Sequence, residues 1–531
     1  MKKNITILSI AVVLMASACN KKFDDLSVNP NSPEKVPASL ALNGIENSLN
    51  TQRPWSQEQR WNQFACCNYN YYGNQEYNWG GASLSYTTLK NVLKMEEEAI
   101  RAGGNEVNPY SALGKFFRAH LFFEMTMLVG DLPMTEALKG VENLTPKYDS
   151  QKEIFVQVLK WLEEANNDLI QLISTGNNTL LGDFYYKNDL RKWQKAVNTF
   201  HLRVLVSLSK KEGDANLNIK QDFAKIIANK TNYPLMADMA DNLQYTYINP
   251  FNKYPTSPDN FGFDATRYNM SSTYLGTLTS LKDPRTFVVA DPAGSKLKAG
   301  IAPSDHAAFL GASPAEDLAD MSSKAGIDNG AGFTPGTYSF YGRKRYYSTY
   351  TAEPGIILGY AEMCFNIAEG INRGWSTGDA EDWYKKAIQA SIGFYGIKEG
   401  INTFYYLKAG GKVAESGDYI AYNVNFEFDT YYQQSSVKYA GNNATGLEQI
   451  LKQKYVSFFQ NSGYQAYYNF RRTGIPAFAQ NGPGTGNSGK IPKRFQYPGT
   501  ERTTNGINLA EALKNQFGGN DDINAEMWVI K

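Results

Sequence analysis

Histidine is nearly missing from this chain. Only His120, His201 and His306 occur among 531 residues. No cysteine stands near any of them at a zinc-ligand spacing. Cysteine is almost as scarce, with four in all. Cys66 and Cys67 are adjacent, which disulfide geometry disfavours. Cys364 falls in a helical pattern and reads as a small buried hydrophobe. A disulfide framework is therefore not expected. A charge excess is also lacking: 53 Lys and Arg stand against 52 Asp and Glu. That balance argues against nucleic acid or an anionic surface as partner. There is no Gly-x-Ser-x-Gly elbow, zinc motif or phosphate loop. Glu58 and Glu76 lie near aromatic clusters, but nothing opposes them across a bond as two-carboxylate hydrolysis requires. The chain reads as not an enzyme. No cofactor is expected. A structural calcium is supported by no motif, since acids such as Asp521 and Asp522 form no EF-hand loop. Beyond the N-terminus no apolar run is long enough to cross a bilayer as a helix.

What is present begins with MKKNITILSIAVVLMASAC. Lys2 and Lys3 form a positive start, Ile5 to Met15 is a short apolar run, and Ala16-Ser17-Ala18 are small. This is the layout of an export signal over residues 1–18. Cys19, directly after the small residues, resembles the cysteine of a lipobox, with Ala16 where Leu is usual. Lipidation there would fix the chain to a membrane, because each buried CH₂ contributes about 0.8 kcal/mol. Residues 19–40 are polar, carry several Pro and read as a tether. Removal of residues 1–18 leaves a charge near neutrality.

The rest, 41–531, reads as mainly α. Apolar periodicity predicts helices near 84–102, 109–129, 154–173, 190–211, 217–229, 354–373, 379–395, 446–461 and 507–516. Between them lie long Gly-, Pro-, Asn- and Tyr-rich insertions near 232–352, 396–440 and 479–506, and loops of such length are usually functional. The segment GYAEMCFNIAEGINRGWSTGDAEDWYKKAIQA carries Ala368 on one helix and Ala380, Tyr384 and Ala387 on the next. Small, large and small residues at that spacing resemble a tetratricopeptide helix pair, although any helical hairpin could share the pattern.

FRAHLFFEMTMLVGDLPMTEAL is a helix that leads to a Gly-Asp-x-Pro stop. LGDFYYKNDLRKWQKAVNTFHLRVLVSLSK is a later helix. GLEQILKQKYVSFFQNSGYQAYYNFRRTGIP pairs a Gln-Lys helix with an Arg-Arg-Thr-Gly-x-Pro exit. IPKRFQYPGTERTTNGINLAEAL and NDDINAEMWVIK follow in order. Together these segments resemble the SusD/RagB family of Bacteroidetes surface lipoproteins, most of all its shorter SusD-like branch, with Tyr455 where that family usually has Trp and Val529 in place of a second Trp. Asp24-Asp25 resembles the acidic surface-export signal of such lipoproteins. The resemblance implies a tetratricopeptide-like helical-hairpin superhelix with long irregular insertions. It implies a surface-exposed, lipid-anchored outer-membrane protein that binds oligosaccharide and acts as lid for a SusC-like TonB-dependent transporter. Peptide or other non-sugar cargo is the alternative. The shared motifs read as helix stops and packing corners rather than as ligand contacts.

Aromatics make up 13% of the chain, and Tyr outnumbers Phe 35 to 28. Tyr is the ring that can face water, so the excess suggests a recognition surface. Aromatic faces suit the C–H face of a sugar, and amides suit its hydroxyls. The stretch NYNYYGNQEYNW, 68–79, offers both without one aliphatic residue. Its candidate contacts are Tyr69, Tyr71, Tyr72, Asn74, Tyr77, Asn78 and Trp79. A second ring-rich run, TYSFYGRKRYYSTY at 337–350, adds Tyr341, Arg343 and Tyr346. Trp55 and Trp61, flanking SQEQR, and the run 429–443 are weaker candidates.

Overall fold

Caps and apolar periodicity together place the helices. The computed structural model describes residues 36–531 apart from 71, 72, 178, 265 and 329–332. Cys19, the export signal and Asp24-Asp25 lie outside the described residues. The first half contains α1 (Ala38–Ser48), α2 (Gln57–Trp61), β1 (Ala65–Cys67), α3 (Tyr86–Arg101), α4 (Pro109–Val129), α5 (Gln151–Thr175), α6 (Leu190–Ser207) and α7 (Ile219–Ala228). Then come β2 (Leu243–Tyr245), β3 (Tyr268–Met270), α8 (Ser272–Ser280), β4 (Gly355–Leu358), α9 (Tyr360–Asn372) and α10 (Ala380–Phe394). The chain ends with β5 (Gly400–Leu407), β6 (Tyr419–Phe426), α11 (Ala444–Ser457), α12 (Gln465–Thr473) and α13 (Gly506–Phe517). α1 begins inside the stretch expected to be tether, so the helical body starts at Ala38.

The bounds of α4 follow from its ends. Asn108 accepts hydrogen bonds from the Tyr110 and Ser111 N–H groups, and Pro109 fills the first helical position. Gly130 stops the helix at φ 101°, and a Cβ there would lie 2.2 Å from Gln516 Oε1. α5 opens with a Ser150/Glu153 capping box. The neighbours α4–α5, α5–α6 and α9–α10 pack against one another around a large hydrophobic core whose members run from Ala38 to Ile530. In the α9–α10 pair Ala368, Ala380, Tyr384 and Ala387 are all buried, as a tetratricopeptide-like pair requires. Gly370 on α9 lets the Phe223 ring of α7 lie against the helix: a Cβ there would sit 2.1 Å from the ring.

The strands correct two expectations. Periodicity predicts a helix over 354–373, yet residues 355–358 form β4, paired antiparallel with β2. A four-residue apolar run, GIIL, is too short for its period to decide. The 396–440 insertion contains the β5–β6 hairpin, in register from Gly400↔Phe426 to Leu407↔Tyr419. β1 pairs with β3, Cys67 opposite Tyr268.

The family-like motifs lock helices together. Glu369 on α9 is fully buried and receives both ends of the Arg472 guanidinium, with Arg373 Nε donating to it at 3.0 Å. Lys454 Nζ lies 3.8 Å from the same carboxylate. Burial alone would raise the Glu369 carboxyl; Arg472, Arg373 and Lys454 outweigh it and hold it well below the usual range. Arg471 Nη1 donates to the Met127 and Lys493 carbonyls at 2.9 and 2.8 Å. The Arg-Arg pair is thus a corner joining α4, α9 and α12.

Candidate functional site

The chain turns after β1, and from Gly73 to Trp79 it forms no helix and its side chains alternate. Gln75, Tyr77 and Trp79 point inward and are buried, while Asn74, Glu76 and Asn78 lie on the outer side. The Tyr77 hydroxyl donates to the Trp61 carbonyl at 2.7 Å and accepts from Gln63 Nε2 at 3.2 Å. Trp79 stacks on Phe495 with centroids 4.0 Å apart and planes 9° from parallel, and Tyr467 meets its edge at 4.9 Å. These two rings are core, and the expectation that they contact ligand is corrected. The aliphatic partners missing from the stretch are replaced by rings from distant segments.

The second run is corrected in the same way. Tyr341, Arg343 and Tyr346 are at most 4% exposed. The chain turns helically at Arg343–Tyr346. Arg343 Nη1 lies 3.4 Å from Asp291 Oδ2, inside the protein. Tyr341 and Tyr346 pack under Trp55, with centroids 4.0 and 5.2 Å away.

On the outer side of the first stretch, Tyr69 is 44% exposed, and the Arg267 guanidinium covers its ring at 4.2 Å. The Asn74 side chain accepts from the Glu76 N–H at 3.0 Å. Asn78 is exposed, donates to Glu76 Oε2 at 2.7 Å and accepts from the Asn487 N–H at 2.7 Å. Tyr71 and Tyr72 lie outside the described residues.

Beside this outer edge is a groove of about 530 Å³. Its walls are the rings of Trp55, Tyr245, Tyr247 and Tyr268. Its polar groups are Asn47 in the last turn of α1, Asn50 just after it, Arg53, and Asn252 and Lys253. Local structure explains the placement. Trp55 adopts φ 68° and its N–H donates to Gln460 Oε1 at 2.7 Å, which leaves the indole half-exposed above Tyr341. The Tyr245 hydroxyl donates to Asn47 Oδ1 at 3.1 Å, and Asn50 Nδ2 donates to the Tyr247 hydroxyl at 3.4 Å. A tight turn with reciprocal 2.7 Å bonds between Ile248 and Asn252 brings Asn252 and Lys253 to the rim, with Phe251 91% exposed at its tip. Lys253 also donates to Asp259 at 2.8 Å. Pairing of β3 with β1 sets Tyr268 opposite Cys67, where the 68–79 stretch begins. Arg60 bridges the two regions: its guanidinium lies 5.9 Å from the Tyr268 centroid, and its Nε donates to the Asn74 carbonyl at 3.2 Å.

The groove therefore offers ring faces, amide donors and acceptors, and two cations, with no carboxylate among its described lining residues. It can stack apolar faces and bond hydroxyls; it holds no acid–base pair. Tyr245, Tyr247 and Tyr268 were not singled out from the sequence. The alternation QYTYINP at 244–250 is a local signal for Tyr245 and Tyr247, and Tyr268 has none. Among the described residues no group of His, Cys, Asp and Glu could hold a metal ion. Cys66, Cys67 and Cys364 are free and buried. No described helix is long and apolar enough to cross a membrane.

Comparison with known proteins places this geometry in context. A family model described as starch-binding associating with outer membrane, SusD-like, matches residues 30–498. A SusD homologue from Bacteroides fragilis is 30% identical, with TM-score 0.77, over 93% of this chain and 100% of its own. An outer membrane protein from Bacteroides vulgatus, described in terms of nutrient binding, is 31% identical, with TM-score 0.76, over 93% and 100%. A chitin-binding SusD homologue from Flavobacterium johnsoniae shares the fold at 18% identity and TM-score 0.65, over 93% and 98%. Among curated proteins nothing matches.

Proposed function

Since the chain belongs to the SusD-like family of outer-membrane nutrient-binding proteins, we propose that it captures oligosaccharide at the cell surface. In this reading the Trp55–Tyr245–Tyr247–Tyr268 groove is the capture site. The observation that carries it is the groove's composition. The half-exposed rings of Trp55, Tyr245 and Tyr268 and the buried Tyr247 stand beside Asn47, Asn50 and Asn252, with no carboxylate among the described lining residues. Ring faces take the C–H face of a pyranose, and each amide can donate and accept with sugar hydroxyls. Tyr69, Asn74 and Asn78 extend the site along the outer edge of the 68–79 stretch.

The protein is held to the outer membrane by lipid on Cys19, after removal of residues 1–18. The segment from Cys19 to Val36 reaches at most about 60 Å when extended. That reach allows the body to swing as a lid over a SusC-like TonB-dependent transporter without leaving it.

Calorimetric titration of the full chain against starch, chitin oligosaccharides, other polysaccharides and peptide digests tests the cargo. Saturable heat with a glycan and none with peptides is the expected result. Binding to peptides alone overturns the carbohydrate reading and leaves the lid role standing. Isolation of the protein from outer membranes tests the lid: a large β-barrel subunit should co-purify, and its absence under mild detergent removes that role.

A further inference from the structure

The β5–β6 hairpin is a two-stranded sheet of its own. Its hydrogen-bond phase is fixed at the loop end, where the Lys408 N–H donates to the Asp418 carbonyl at 2.8 Å. Bonded and unbonded pairs alternate along an antiparallel ladder. Counting in twos from that bond makes Tyr406↔Ile420, Phe404↔Tyr422 and Asn402↔Val424 the bonded pairs. The residues of β6 between them, Ala421, Asn423 and Asn425, therefore turn their backbone N–H and C=O groups away from β5. Among the described residues nothing hydrogen-bonds to those backbone groups, and all three residues are exposed.

Proteins ordinarily blunt such an edge with charge, proline or a bulge. YIAYNVNF, the whole of β6, has neither charge nor proline, and its register with β5 is unbroken. Ala421, Asn423 and Asn425 lie on the outward face of the ribbon, where the Thr403 hydroxyl donates to Asn423 Oδ1 at 2.9 Å. On the inward face Tyr422 meets the core ring of Phe287, with centroids 6.2 Å apart. Yet on that same face Ile420 is 38% exposed and Val424 is half-buried. The body thus leaves the inward side of β6 partly open, with room for a further strand.

We propose that the free edge of β6 pairs antiparallel with β6 of a second copy, about a twofold axis through Asn423, so that two hairpins form one four-stranded sheet. In this register the strand is its own complement. Ala421 faces the partner's Asn425 and Asn423 faces the partner's Asn423, which gives about six backbone hydrogen bonds. Tyr422 falls opposite the partner's Val424, and an aromatic beside a β-branched residue is a favourable cross-strand pair. Like charges never meet, because the strand carries none. An unrelated extended peptide could use the same backbone groups, but it would match the Tyr422 and Val424 positions only by chance. The twofold contact matches both with the chain's own sequence, and it closes at two copies. It needs neither the glycan groove nor the transporter.

The test is sedimentation equilibrium of the full chain in mild detergent, over about 1–200 μM. Wild type should pass from monomer toward dimer across that range. Asn423→Lys and Asn423→Asp each set like charges against one another at the twofold, so each should weaken the dimer about tenfold or more. An equimolar mixture of the two sets Lys against Asp and should restore a dimer that contains both. Both changes fall at an exposed position, and their urea unfolding curves should overlay that of wild type. Monomer throughout the range, a dimer that both variants keep, or a mixture that fails to recover each overturns the proposal. A monomer that binds extended peptides, and loses them in Asn423→Lys, gives the edge to another chain and overturns it equally.

Discussion

Glu46 offers a sharp test of how the rim of the groove is held. It sits on α1, just before Asn47 and Asn50, and is fully buried. Its Oε2 accepts from the Phe184 N–H at 2.9 Å, and Oε1 has no partner. Neighbouring Asp183 accepts four N–H bonds, from Tyr185, Tyr186, Asn188 and the Trp193 indole. Those are the surroundings of an anion, so the proton stays on Glu46. Burial first, and the Asp183 charge second, push the Glu46 carboxyl from 4.5 up to about 9. Between those values the native state binds one proton more than the unfolded state, so stability falls as pH rises. Each pH unit in that window removes about 1.4 kcal/mol, or at most about 4 kcal/mol between pH 5 and pH 8. Glu46→Gln keeps an acceptor for Phe184 and places an N–H toward Asp183 without a charge. Urea unfolding of both proteins at pH 5 and pH 8 measures the difference. The variant should match wild type within about 1 kcal/mol at pH 5 and exceed it by about 2–4 kcal/mol at pH 8. Parallel loss of stability in the two proteins refutes the reasoning.

Further outcomes follow from the same geometry. Glu369→Gln leaves Arg472, Arg373 and Lys454 buried without their anion, and should cost about 3–5 kcal/mol in urea unfolding at pH 7. In wild type the contribution of this cluster is fully present above pH 4.5 and is lost as pH falls through the depressed value of Glu369; the gap between the two proteins should therefore narrow on acidification. Trp79→Ala should lower stability by about 3–5 kcal/mol, because the ring is wedged between Phe495, Tyr467 and Trp61. A loss under about 0.5 kcal/mol would mean the ring is a surface platform after all. Tyr405, 40% exposed on the β5–β6 hairpin far from the groove in sequence, serves as a surface comparison; Tyr405→Ala should change unfolding by less than about 0.5 kcal/mol.

How much was legible depended on whether the signal was local. α4 was read as 109–129, its observed span, because Asn108, Pro109 and Gly130 mark both ends within its own sequence. The helix pair at Ala368, Tyr384 and Ala387 was legible for the same reason. β4 was missed because GIIL has too few residues to show a period. β5 and β6 lie inside an insertion, where INTFYYL shows no clean alternation and only the YNVNF end of β6 does. The candidate residues divided by orientation. Composition marked 68–79 as unusual, but alternation puts Tyr77 and Trp79 inward and Asn74 and Asn78 outward. The groove itself joins Trp55, Tyr245, Tyr247 and Tyr268, residues from segments some 200 positions apart. No spacing rule within one segment can bring such rings together; β1–β3 and β2–β4 pairing does.

The most direct measurement of the central claim is the affinity of Tyr268→Ala and Tyr245→Ala for whichever glycan wild type binds, with unfolding curves recorded alongside. Each ring should contribute on the order of 1–1.5 kcal/mol by stacking, so Kd should rise about tenfold per variant while the fold stays intact. Unchanged Kd in both folded variants would contradict the groove as the capture site.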